Sequence, residues 1–500
     1  MTIYNINFGI GWASSGVEYA QLYRAQALRN QDTTLKFVFL DFIKNENIQT
    51  LTHNLGFYDD EVIWLYQYFT DIKIAPSSVN VKDVLKTIND EVIKTEQVEK
   101  VRKIFFDDGK YIVCYLKDML KEIVDRVEYI SNGKLIRRDY FSYVRVLTEY
   151  FAPEDNKAKL YMRVFYNEDG SRAYTEYVNA DDSMFIIDNH VLYSKQALVG
   201  YFIERLNLSS DDTILLDRSK DIAQVILQHK NQAKLGVVIH AEHYNASITN
   251  DDYILWNNYY EYVFTNAHEI DFFITATERQ HDLLRNQFNQ YLAIDPKIFT
   301  IPVGNLKELK QTQSRLPYSL ITASRLANEK HVDWLVKAVI LAKQKLPQLF
   351  FDIYGEGTQR QQLNKIITEH NATDYIKLHG HIDLTDVYQQ YELFLSGSTS
   401  EGFGLTLMEA VGSGLGMIGF DVDYGNTTFI RNEENGYVIP IAINTDSENE
   451  IIEKIANAII DYFNNYINVN HKASYQIAED FTLPVVQEKW KGLIEEVHND

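Results

Sequence analysis

Two glutamates in this chain of 500 residues have a spacing that suggests chemistry. Glu401 and Glu409 lie eight positions apart in the window 394–410, which reads FLSGSTSEGFGLTLMEA. The first follows a short apolar run typical of a strand, and the second lies in a helix-like segment that begins at Gly404. An acid at the carboxyl end of a strand, followed by glycines and a helix N-terminus, suits an anionic ligand with many hydroxyl groups. The window therefore predicts a nucleotide-sugar site.

Two cations lie in the same part of the chain. Arg325 and Lys330 are five residues apart in the segment SRLANEKH, directly after a predicted strand at 318–323. Such a pair in a strand-to-helix loop can hold a diphosphate, because Arg binds oxygens bidentately and Lys acts as a point charge. Alone, the two residues would be interpreted as solvated surface cations. The nearby glutamate window favours the diphosphate hypothesis.

Two histidines follow the most apolar predicted strand, 235–240, in the segment VVIHAEHY. Either His240 or His243 could donate a hydrogen bond to a sugar hydroxyl or a phosphate. Together with Glu242 they could also form a metal site, but no third ligand of zinc type is evident. A structural role, with the rings bonded to neighbouring backbone groups, also stays open.

The loop 9–16, which reads GIGWASSG, comes after a predicted strand at 3–8. It is neither a P-loop nor a complete dinucleotide-binding fingerprint. Its glycines allow close backbone approach, so we expect it to form the acceptor-side wall of a cleft. Ser15 and Glu18 have the spacing of a capping box for the following helix.

A D-x-D tripeptide, Asp421-Val422-Asp423, is the other pattern that could bind a divalent cation. Three-residue matches arise easily by chance in an acidic chain, and we interpret this one as incidental. We expect a metal-independent mechanism in which Arg325 and Lys330 replace the cation electrostatically. No metal ligand and no cofactor besides the donor substrate are predicted.

Composition narrows the possible classes of function. The net charge of −22 argues against broad nucleic-acid binding and against simple attachment to an anionic membrane. The single cysteine, Cys114, excludes an internal disulfide framework and fits a reducing compartment. No Lys or Arg precedes Arg24, and no apolar run approaches the length of a spanning helix. These features predict a soluble cytoplasmic protein.

The order of predicted elements indicates an α/β fold with an insertion. Strands and helices alternate at both ends of the chain, which predicts parallel sheets covered by helices. The predicted elements of the first part are strands at 34–42, 213–217, 235–240 and 272–276, with helices around 253–264 and from Thr277. Those of the second part are strands at 318–323, 349–354, 375–379 and 393–396, with helices at 331–345 and 359–370.

Short strands rich in β-branched and aromatic residues fill the region 76–195. The predicted strands are 127–130, 135–140, 160–165, 173–178 and 184–187. The turn NEDG at 167–170 suits a hairpin. We interpret this region as an inserted antiparallel meander, and an insertion with only a packing role is the alternative.

The predicted domains follow from these patterns. They are an N-terminal acceptor-side Rossmann-like domain at 1–75 and 196–305, the meander at 76–195, a C-terminal nucleotide-sugar-binding Rossmann-like domain at 306–480, and a C-terminal helix at 481–500 that packs back across the domain seam.

The segment EGFGLTLMEA resembles the E-x7-E motif of retaining glycosyltransferases of family 4, which have the GT-B fold of two Rossmann-like domains facing across a cleft. A closer resemblance spans essentially the whole chain. The segments NFGIGWASSGVEYA, HAEHY, DYILWNNYY and STSEGFGLTLMEA are similar to the catalytic subunits of the accessory-Sec complexes that glycosylate serine-rich-repeat adhesins before export.

This resemblance implies UDP-N-acetylglucosamine as donor and a serine or threonine hydroxyl of the adhesin as acceptor. Glu409 would hold the uridine ribose, and Glu401 with the glycine loop would hold the sugar. Arg325 and Lys330 would bind the diphosphate, and His240 or His243 would contact the sugar. The implied donor-binding residues are Gly16, Arg325, Lys330, Gly380, His381, Glu401, Gly402, Phe403, Gly404, Leu405, Thr406 and Glu409.

The resemblance also implies a noncatalytic homologous partner subunit, which would contact the inserted meander and help to bind the acceptor polypeptide. Membrane association would then be at most peripheral, through the complex. One departure from the family pattern is Gly416, where such enzymes often have proline. We expect this glycine to loosen the loop without removing a catalytic group.

Two other functions compete with this hypothesis. A wall teichoic acid α-glycosyltransferase shares the fold and a similar meander, although its polyanionic acceptor would favour a basic surface. A noncatalytic adhesin-binding subunit or chaperone would keep the fold, but it should lack the donor-site ions that Glu401, Glu409, Arg325 and Lys330 provide.

Overall fold

The computed structural model describes residues 1–499 except 12–14, 30, 108, 156, 180–181, 313, 443–444 and 466–469. The chain divides into two compact units. The first contains Met1–Ala25 and Gln31–Gly236, and the second contains Gln26–Asn30 and Val237–Asp500.

The first unit begins with alternating strands and helices and contains a long run of strands. Its strands, in chain order, are β1 (Thr2–Asn7), β2 (Thr34–Phe39), β3 (Val62–Trp64), β4 (Lys94–Val98), β5 (Val101–Phe105), β6 (Lys110–Asp118), β7 (Ile123–Ser131), β8 (Lys134–Phe141), β9 (Arg145–Glu154), β10 (Lys157–Tyr166), β11 (Arg172–Val178), β12 (Ser183–Ile187), β13 (His190–Leu192) and β14 (Thr213–Leu216), and β15 (Lys234–Ile239) begins in it. Its helices are α1 (Gly16–Leu28), which ends outside this unit, α2 (Ile48–Leu55), α3 (Leu65–Tyr68), α4 (Val81–Leu85), α5 (Lys195–Arg205) and α6 (Ala223–His229).

A parallel sheet forms the α/β part of the first unit. Strand β1 pairs in parallel with both β2 and β14, and β3 extends the sheet beyond β2. Helix α1 is fixed to this sheet by a buried ion pair, in which Arg24 Nη2 lies 2.7 Å from Asp217 Oδ1. The start of α1 has half of the predicted capping box, because Glu18 Oε2 accepts a hydrogen bond from the Ser15 backbone N–H at 2.5 Å.

The insertion is a single antiparallel sheet of ten strands, β4 to β13, in which neighbours in sequence are neighbours in space. The predicted meander is therefore confirmed, and so is its hairpin, where the Gly170 N–H donates to the Asn167 carbonyl at 2.9 Å. Strands β4 to β6, β9 and β13 were not predicted. Three adjacent strands, β9 to β11, share a buried ladder in which Arg163 binds Glu149 at 3.0 Å and Glu176 at 2.9 Å.

The second unit is again α/β. Its strands are β16 (Phe272–Thr275), β17 (Ile298–Thr300), β18 (Ser319–Ala323), β19 (Phe350–Tyr354), β20 (Ile376–Gly380), β21 (Leu393–Leu395), β22 (Gly416–Phe420) and β23 (Gly436–Ile439). Its helices are α7 (Glu261–Thr265), α8 (Glu278–Gln287), α9 (Val332–Lys343), α10 (Arg360–Glu369), α11 (Leu405–Gly412), α12 (Gly425–Phe429), α13 (Glu448–Asn465), α14 (Asn470–Ala478) and α15 (Leu483–Asn499).

Six of these strands form a parallel sheet in the order β20-β19-β18-β21-β22-β23. Helices α9 and α13 contribute to its core, where Val336, Val339 and Ile459 are fully buried. Burial of each such side chain contributes about 1.5–3 kcal/mol to folding. In parallel sheets of this kind, the loops after the strands are the usual place for a ligand. The predicted α/β class with an antiparallel insertion is confirmed.

Helix α15 and strand β17 belong to the second unit but lie outside this sheet. The two are in contact, since Lys489 Nζ donates to the Thr300 carbonyl at 3.3 Å.

Among the described residues, no helix combines the length and the apolar character needed to cross a membrane.

The helix predicted around 253–264 is wrong for most of its length. Only Glu261–Thr265 is helical, and the preceding segment forms isolated antiparallel bridges, among them Tyr244 with Trp256. The Asn250 side chain accepts hydrogen bonds from the N–H groups of the next residues, Asp252 and Tyr253. Such local bonds compete with a helix, so apolar spacing alone gave the wrong structure here.

The expectation for Gly416 is also wrong. This glycine does not loosen a loop, because it is the buried first residue of β22. A Cβ atom at this position would overlap the ring and hydroxyl of Tyr462, which is 1% exposed. The absence of a side chain thus allows the helix α13 tyrosine to pack against the strand.

We predict that Gly416→Ala destabilises the chain by about 1–3 kcal/mol, because the added methyl group overpacks a filled site. The matched control is Gly492→Ala in α15, where an added Cβ meets no atom within 4 Å. That control should stabilise the chain by about 0.5–1 kcal/mol, since alanine favours helix. Thermal unfolding of both variants measures the contrast, and equal melting temperatures would refute the packing role of Gly416.

Candidate active site

The two predicted cations and Glu401 lie in loops that follow two adjacent strands of the six-stranded sheet. Strand β18 precedes the loop with Arg325 and Lys330, and β21 precedes the loop with Glu401. The two strands pair in parallel. Their carboxyl ends therefore lie side by side, which brings residues separated by 71 positions into contact.

The central contact of the site joins Lys330 to Glu401. Lys330 Nζ lies 2.5 Å from Glu401 Oε2, and the two side chains are 19% and 18% exposed. The Ser398 hydroxyl donates to the same oxygen at 3.2 Å. Glu401 Oε2 is thus occupied by two donors, which makes this oxygen poorly suited to act as a general base. Sequence analysis did not identify Ser398, although it lies within the window that we had singled out.

Arg325 has a different environment. Its side chain is 74% exposed and pairs with Glu329 at 2.7 Å, one helical turn away in sequence. An exposed pair of this kind contributes at most about 1 kcal/mol. The guanidinium can therefore exchange Glu329 for an anionic ligand at low cost, and Glu329 is a second residue that the sequence did not indicate.

The glycine loop leads from Glu401 into α11. Gly404 caps the helix with φ 86°, a left-handed conformation that favours glycine. Leu405 and Thr406 are the first two residues of the eight-residue helix. Backbone N–H groups in the first turn of a helix have no acceptor within the helix, so they can bind an anion. Phe403 is buried, which anchors the loop in the core.

Glu409 lies on α11, and its side chain is oriented by a tyrosine. Tyr388 Oη donates to Glu409 Oε2 at 3.0 Å, and Tyr388 is 2% exposed. This hydrogen bond fixes the orientation of the Glu409 carboxylate on α11. No motif in the sequence predicted Tyr388, because it lies 21 residues before Glu409 in a different loop.

His240 lies against the glycine loop. A Cβ atom at Gly402 would be 2.5 Å from the His240 carbonyl oxygen, so only glycine permits this approach. The His240 backbone N–H donates to Tyr260 Oη at 3.0 Å, which fixes the end of β15. Glu242, two residues after His240, accepts a hydrogen bond from the Ser400 hydroxyl at 3.3 Å. Burial raises the pKa of Glu242.

His243 is fully buried and both of its ring nitrogens have partners. Nε2 lies 2.7 Å from Gln287 Oε1, and Nδ1 lies 3.1 Å from Tyr424 Oη. The amide oxygen can only accept, so Nε2 carries the proton and Nδ1 accepts from the tyrosine. Burial lowers the pKa of His243 to about 4. His243 thus offers no nitrogen to a ligand, which corrects its place among the candidate sugar contacts and leaves His240.

The partner of His243 connects it to the site. Tyr424 forms an isolated parallel bridge with Glu401, and the Gly425 N–H donates to the Glu401 carbonyl at 2.9 Å. Tyr424 has φ 77°, a strained conformation for a tyrosine. The strain persists because the ring is buried and its hydroxyl is bonded to His243. His243 therefore supports the backbone of Glu401 from behind.

The remaining predicted residues lie at other strand and helix ends. Gly380 is the last residue of β20, with φ 80°, and its carbonyl accepts from the Gly355 N–H at 2.7 Å. His381 follows it and is exposed. Gly16 begins α1 in the first unit, and a Cβ there would meet no atom within 4 Å. Part of its loop, residues 12–14, lies outside the described residues.

The D-x-D tripeptide has a structural contact of its own. Asp423 Oδ1 lies 3.0 Å from Arg279 Nε in an exposed ion pair. In the described ranges of the chain, no group of three or more His, Cys, Asp or Glu side chains is arranged to hold a metal ion.

Comparison with known proteins identifies the family. Residues 94–189 match the model "GtfA extended beta-sheet domain", and residues 307–474 match "Glycosyl transferases group 1". The GtfA subunit of UDP-N-acetylglucosamine–peptide N-acetylglucosaminyltransferase from Streptococcus pneumoniae is 53% identical over the full length of both chains. The chain belongs to the GtfA family.

Solved structures agree with this assignment. The pneumococcal O-GlcNAc transferase GtfA, in complex with UDP and GlcNAc, has a TM-score of 0.95 and covers 100% of this chain and 99% of that one. A GtfA/B complex has a TM-score of 0.95 at 50% identity, covering all of both chains. The predicted GT-B glycosyltransferase fold is confirmed, and this GtfA-family chain is a glycosyltransferase.

We predict that Lys330→Ala lowers the turnover of the sugar donor by about 100-fold or more, because it removes a preorganised charge from the site. The melting temperature should change little, since the side chain is only partly buried. Lys345→Ala is the matched control, because Lys345 is an exposed lysine two residues after the end of α9. Turnover close to that of the control would remove Lys330 from the catalytic site.

We predict that His243 makes the stability of the chain depend on acidity. An unfolded histidine titrates near pH 6.5, so the unfolded chain binds the additional proton between about pH 6.5 and 4. The stabilisation is complete above this range and is lost as the pH falls through it. The loss at pH 4.5 is about 2.5 kcal/mol.

The test compares unfolding free energies at about pH 7.5 and 4.5. His243→Gln cannot take up the proton, so its stability should fall less than that of the unmodified chain. His268→Gln, at a histidine that is 70% exposed, should behave like the unmodified chain. An unchanged pH dependence in His243→Gln would contradict the assignment of a neutral, buried ring.

Proposed function

We propose that the chain transfers N-acetylglucosamine from UDP-N-acetylglucosamine to serine and threonine hydroxyls of a polypeptide. The observation that carries this proposal is the Lys330–Glu401 contact beside a glycine loop and a helix N-terminus. Together these features offer a cation and free N–H groups for a diphosphate, and a carboxylate for sugar hydroxyls. The presence of UDP and GlcNAc in a GtfA structure 53% identical to this chain supports the same donor.

The site residues suggest a division of roles. Arg325 and Lys330 bind the diphosphate with the Leu405 and Thr406 amides, and Glu409 binds the ribose. Glu401 and the loop Gly402, Phe403 and Gly404 bind the donor sugar, and His240 contacts it. Gly380 and His381 bind the uracil through their backbone, and Gly16 is a further donor-binding residue.

The mechanism that fits these roles is retention by front-face attack. The acceptor hydroxyl bonds to the anomeric carbon as the bond to the diphosphate breaks, and the leaving diphosphate oxygen takes the hydroxyl proton. Arg325 and Lys330 stabilise the negative charge that develops on the diphosphate. No metal ion is required, because these two cations supply the positive charge.

The acceptor that we propose is a serine-rich-repeat adhesin, glycosylated in the cytoplasm before export. A noncatalytic subunit of the GtfB type would bind the inserted sheet. The GtfA/B complex whose structure is 50% identical to this chain supports a partner of this type. Strand β4 is exposed at all five positions, including Val98 at its end, which is 75% exposed. Leu120, between β6 and β7 of the same sheet, is 96% exposed. Such an edge with apolar neighbours suits association with a partner.

The decisive experiment offers the chain a serine-rich peptide and a panel of UDP-sugars, with and without the partner subunit. We expect a mass increase of one N-acetylhexosamine per modified residue and an α-anomeric signal in the NMR spectrum of the product. A β-linkage would overturn the front-face mechanism. Transfer to poly(ribitol phosphate) instead of peptide would favour the teichoic acid alternative, and absence of donor hydrolysis and transfer would favour a noncatalytic subunit.

A further inference from the structure

The inserted sheet and the α/β part of the first unit enclose a cavity of about 220 Å³. One side is formed by the segment that leads into α2 and by β3, and the other by β6 to β9. The space is several times the roughly 30 Å³ that one water molecule occupies in the liquid. None of the residues assigned to donor binding lines this cavity.

Two kinds of surface line the cavity. The apolar part includes Trp64, Leu116 and Leu147, all largely buried, together with the aromatic side chains of Tyr115 and Tyr140. The polar part includes two acids, a guanidinium and a hydroxyl, which belong to Glu46, Asp125, Arg126 and Ser142. Mixed linings of this kind are typical of small-molecule sites.

Two of the polar groups have unused hydrogen-bonding capacity. Ser142 is 4% exposed, and its Oγ has no hydrogen-bond partner. The buried Nε of Arg126 also has no partner, although the guanidinium lies 3.9 Å from the centre of the Tyr115 ring. An unsatisfied buried polar group costs about 1–3 kcal/mol, so both atoms favour a ligand that supplies oxygen.

The two acids are arranged as hydrogen-bond acceptors. Asp125 Oδ1 accepts from the Ser77 hydroxyl at 2.8 Å, and Glu46 Oε1 lies 3.7 Å from Lys117 Nζ. Burial raises the pKa of both carboxyl groups, and the charge of Asp125 also raises that of Glu46. Donors from a ligand would stabilise their charged forms.

Charge excludes most classes of ligand. An anion would meet Glu46 and Asp125, and a cation would meet Arg126 and Lys100, which is exposed and also lines the cavity. A lipid chain would leave the three partly buried ionisable groups, Glu46, Asp125 and Arg126, unsolvated. A neutral ligand with several hydroxyl groups and one apolar face satisfies all of these groups. A pyranose ring has that chemistry, and an N-acetyl carbonyl would accept from Arg126 Nε.

We propose that this cavity binds one N-acetylhexosamine residue, either free or already linked to a serine of the acceptor. Binding of the serine-linked sugar rests on the proposed function, because the proposed reaction would produce glycosylated serine. A glycosylated residue held there would keep the acceptor on the enzyme while further hydroxyls are modified. The cavity would then be a product-recognition site separate from the donor-binding residues.

Saturation-transfer NMR on the full-length chain tests the proposal, with an excess of a deuterated, non-hydrolysable phosphonate analogue of UDP-N-acetylglucosamine. This analogue occupies the whole donor site, whereas UDP alone would leave its sugar part open. The three probes are free N-acetylglucosamine, N-acetylserine methylamide with an α-linked N-acetylglucosamine, and the same amide without the sugar. We expect sugar protons of the first two probes to receive saturation, and the third probe to bind at least tenfold more weakly. The ratio of the affinity for free N-acetylglucosamine to the affinity for the sugar-bearing amide shows whether the cavity prefers the free sugar or the sugar linked to serine.

Two variants localise the binding. Ser142→Val removes the unpartnered hydroxyl, and Asp125→Asn removes a charge with little change of shape. Each should weaken sugar binding at least tenfold while donor hydrolysis stays within about twofold of the unmodified chain. Asp118→Asn is the matched control, since Asp118 is an aspartate of the inserted sheet that does not line the cavity.

The outcomes separate the two hypotheses. Sugar binding that is equal in the two variants and the control would overturn the cavity site. Equal binding of the amide with and without its sugar would overturn it as well. A chain that binds the sugar amide but shows neither donor hydrolysis nor transfer would overturn the proposed function alone.

Discussion

The contact between Lys330 and Glu401 is the interaction on which the candidate site depends. It exists because two parallel strands, β18 and β21, end side by side and each continues into a loop that carries one of the charges. The pairing orients Glu401 and places a cation next to a helix N-terminus. Neither residue alone would specify a site, since an isolated charge at a loop is normally solvated.

A second layer of contacts holds this pair in place. The buried His243 ring bonds to Tyr424, whose strained backbone in turn pairs with Glu401. The close approach of Gly402 to the His240 carbonyl fixes the other side of the same loop. These contacts restrict the motion of Glu401, and the buried ring of His243 does so without offering a nitrogen to the donor. A rigid supporting layer of this kind is what precise positioning of a substrate requires.

Sequence patterns predicted the parts of this site that depend on local order. Strands β18 to β21, Glu401 with its glycine loop, and the pair of cations all follow from local patterns, whereas β17, β22 and β23 were not predicted. The pattern could not distinguish His240 from His243, because exposure depends on residues such as Gln287 that are distant in sequence. It also misassigned Gly416, whose role depends on Tyr462 in a helix that follows much later in the chain. Contacts between residues so far apart in the chain produce no regular spacing that a single sequence could reveal.

The ladder of Glu149, Arg163 and Glu176 has a consequence for the inserted sheet. A shift of one residue between neighbouring strands would turn each side chain to the opposite face and separate the buried charges. Breaking such a buried pair costs about 3–5 kcal/mol. The ladder therefore allows only one register across β9, β10 and β11. The ten-stranded sheet is thus protected against slippage, and the side chains on each of its faces stay the same from one molecule to the next.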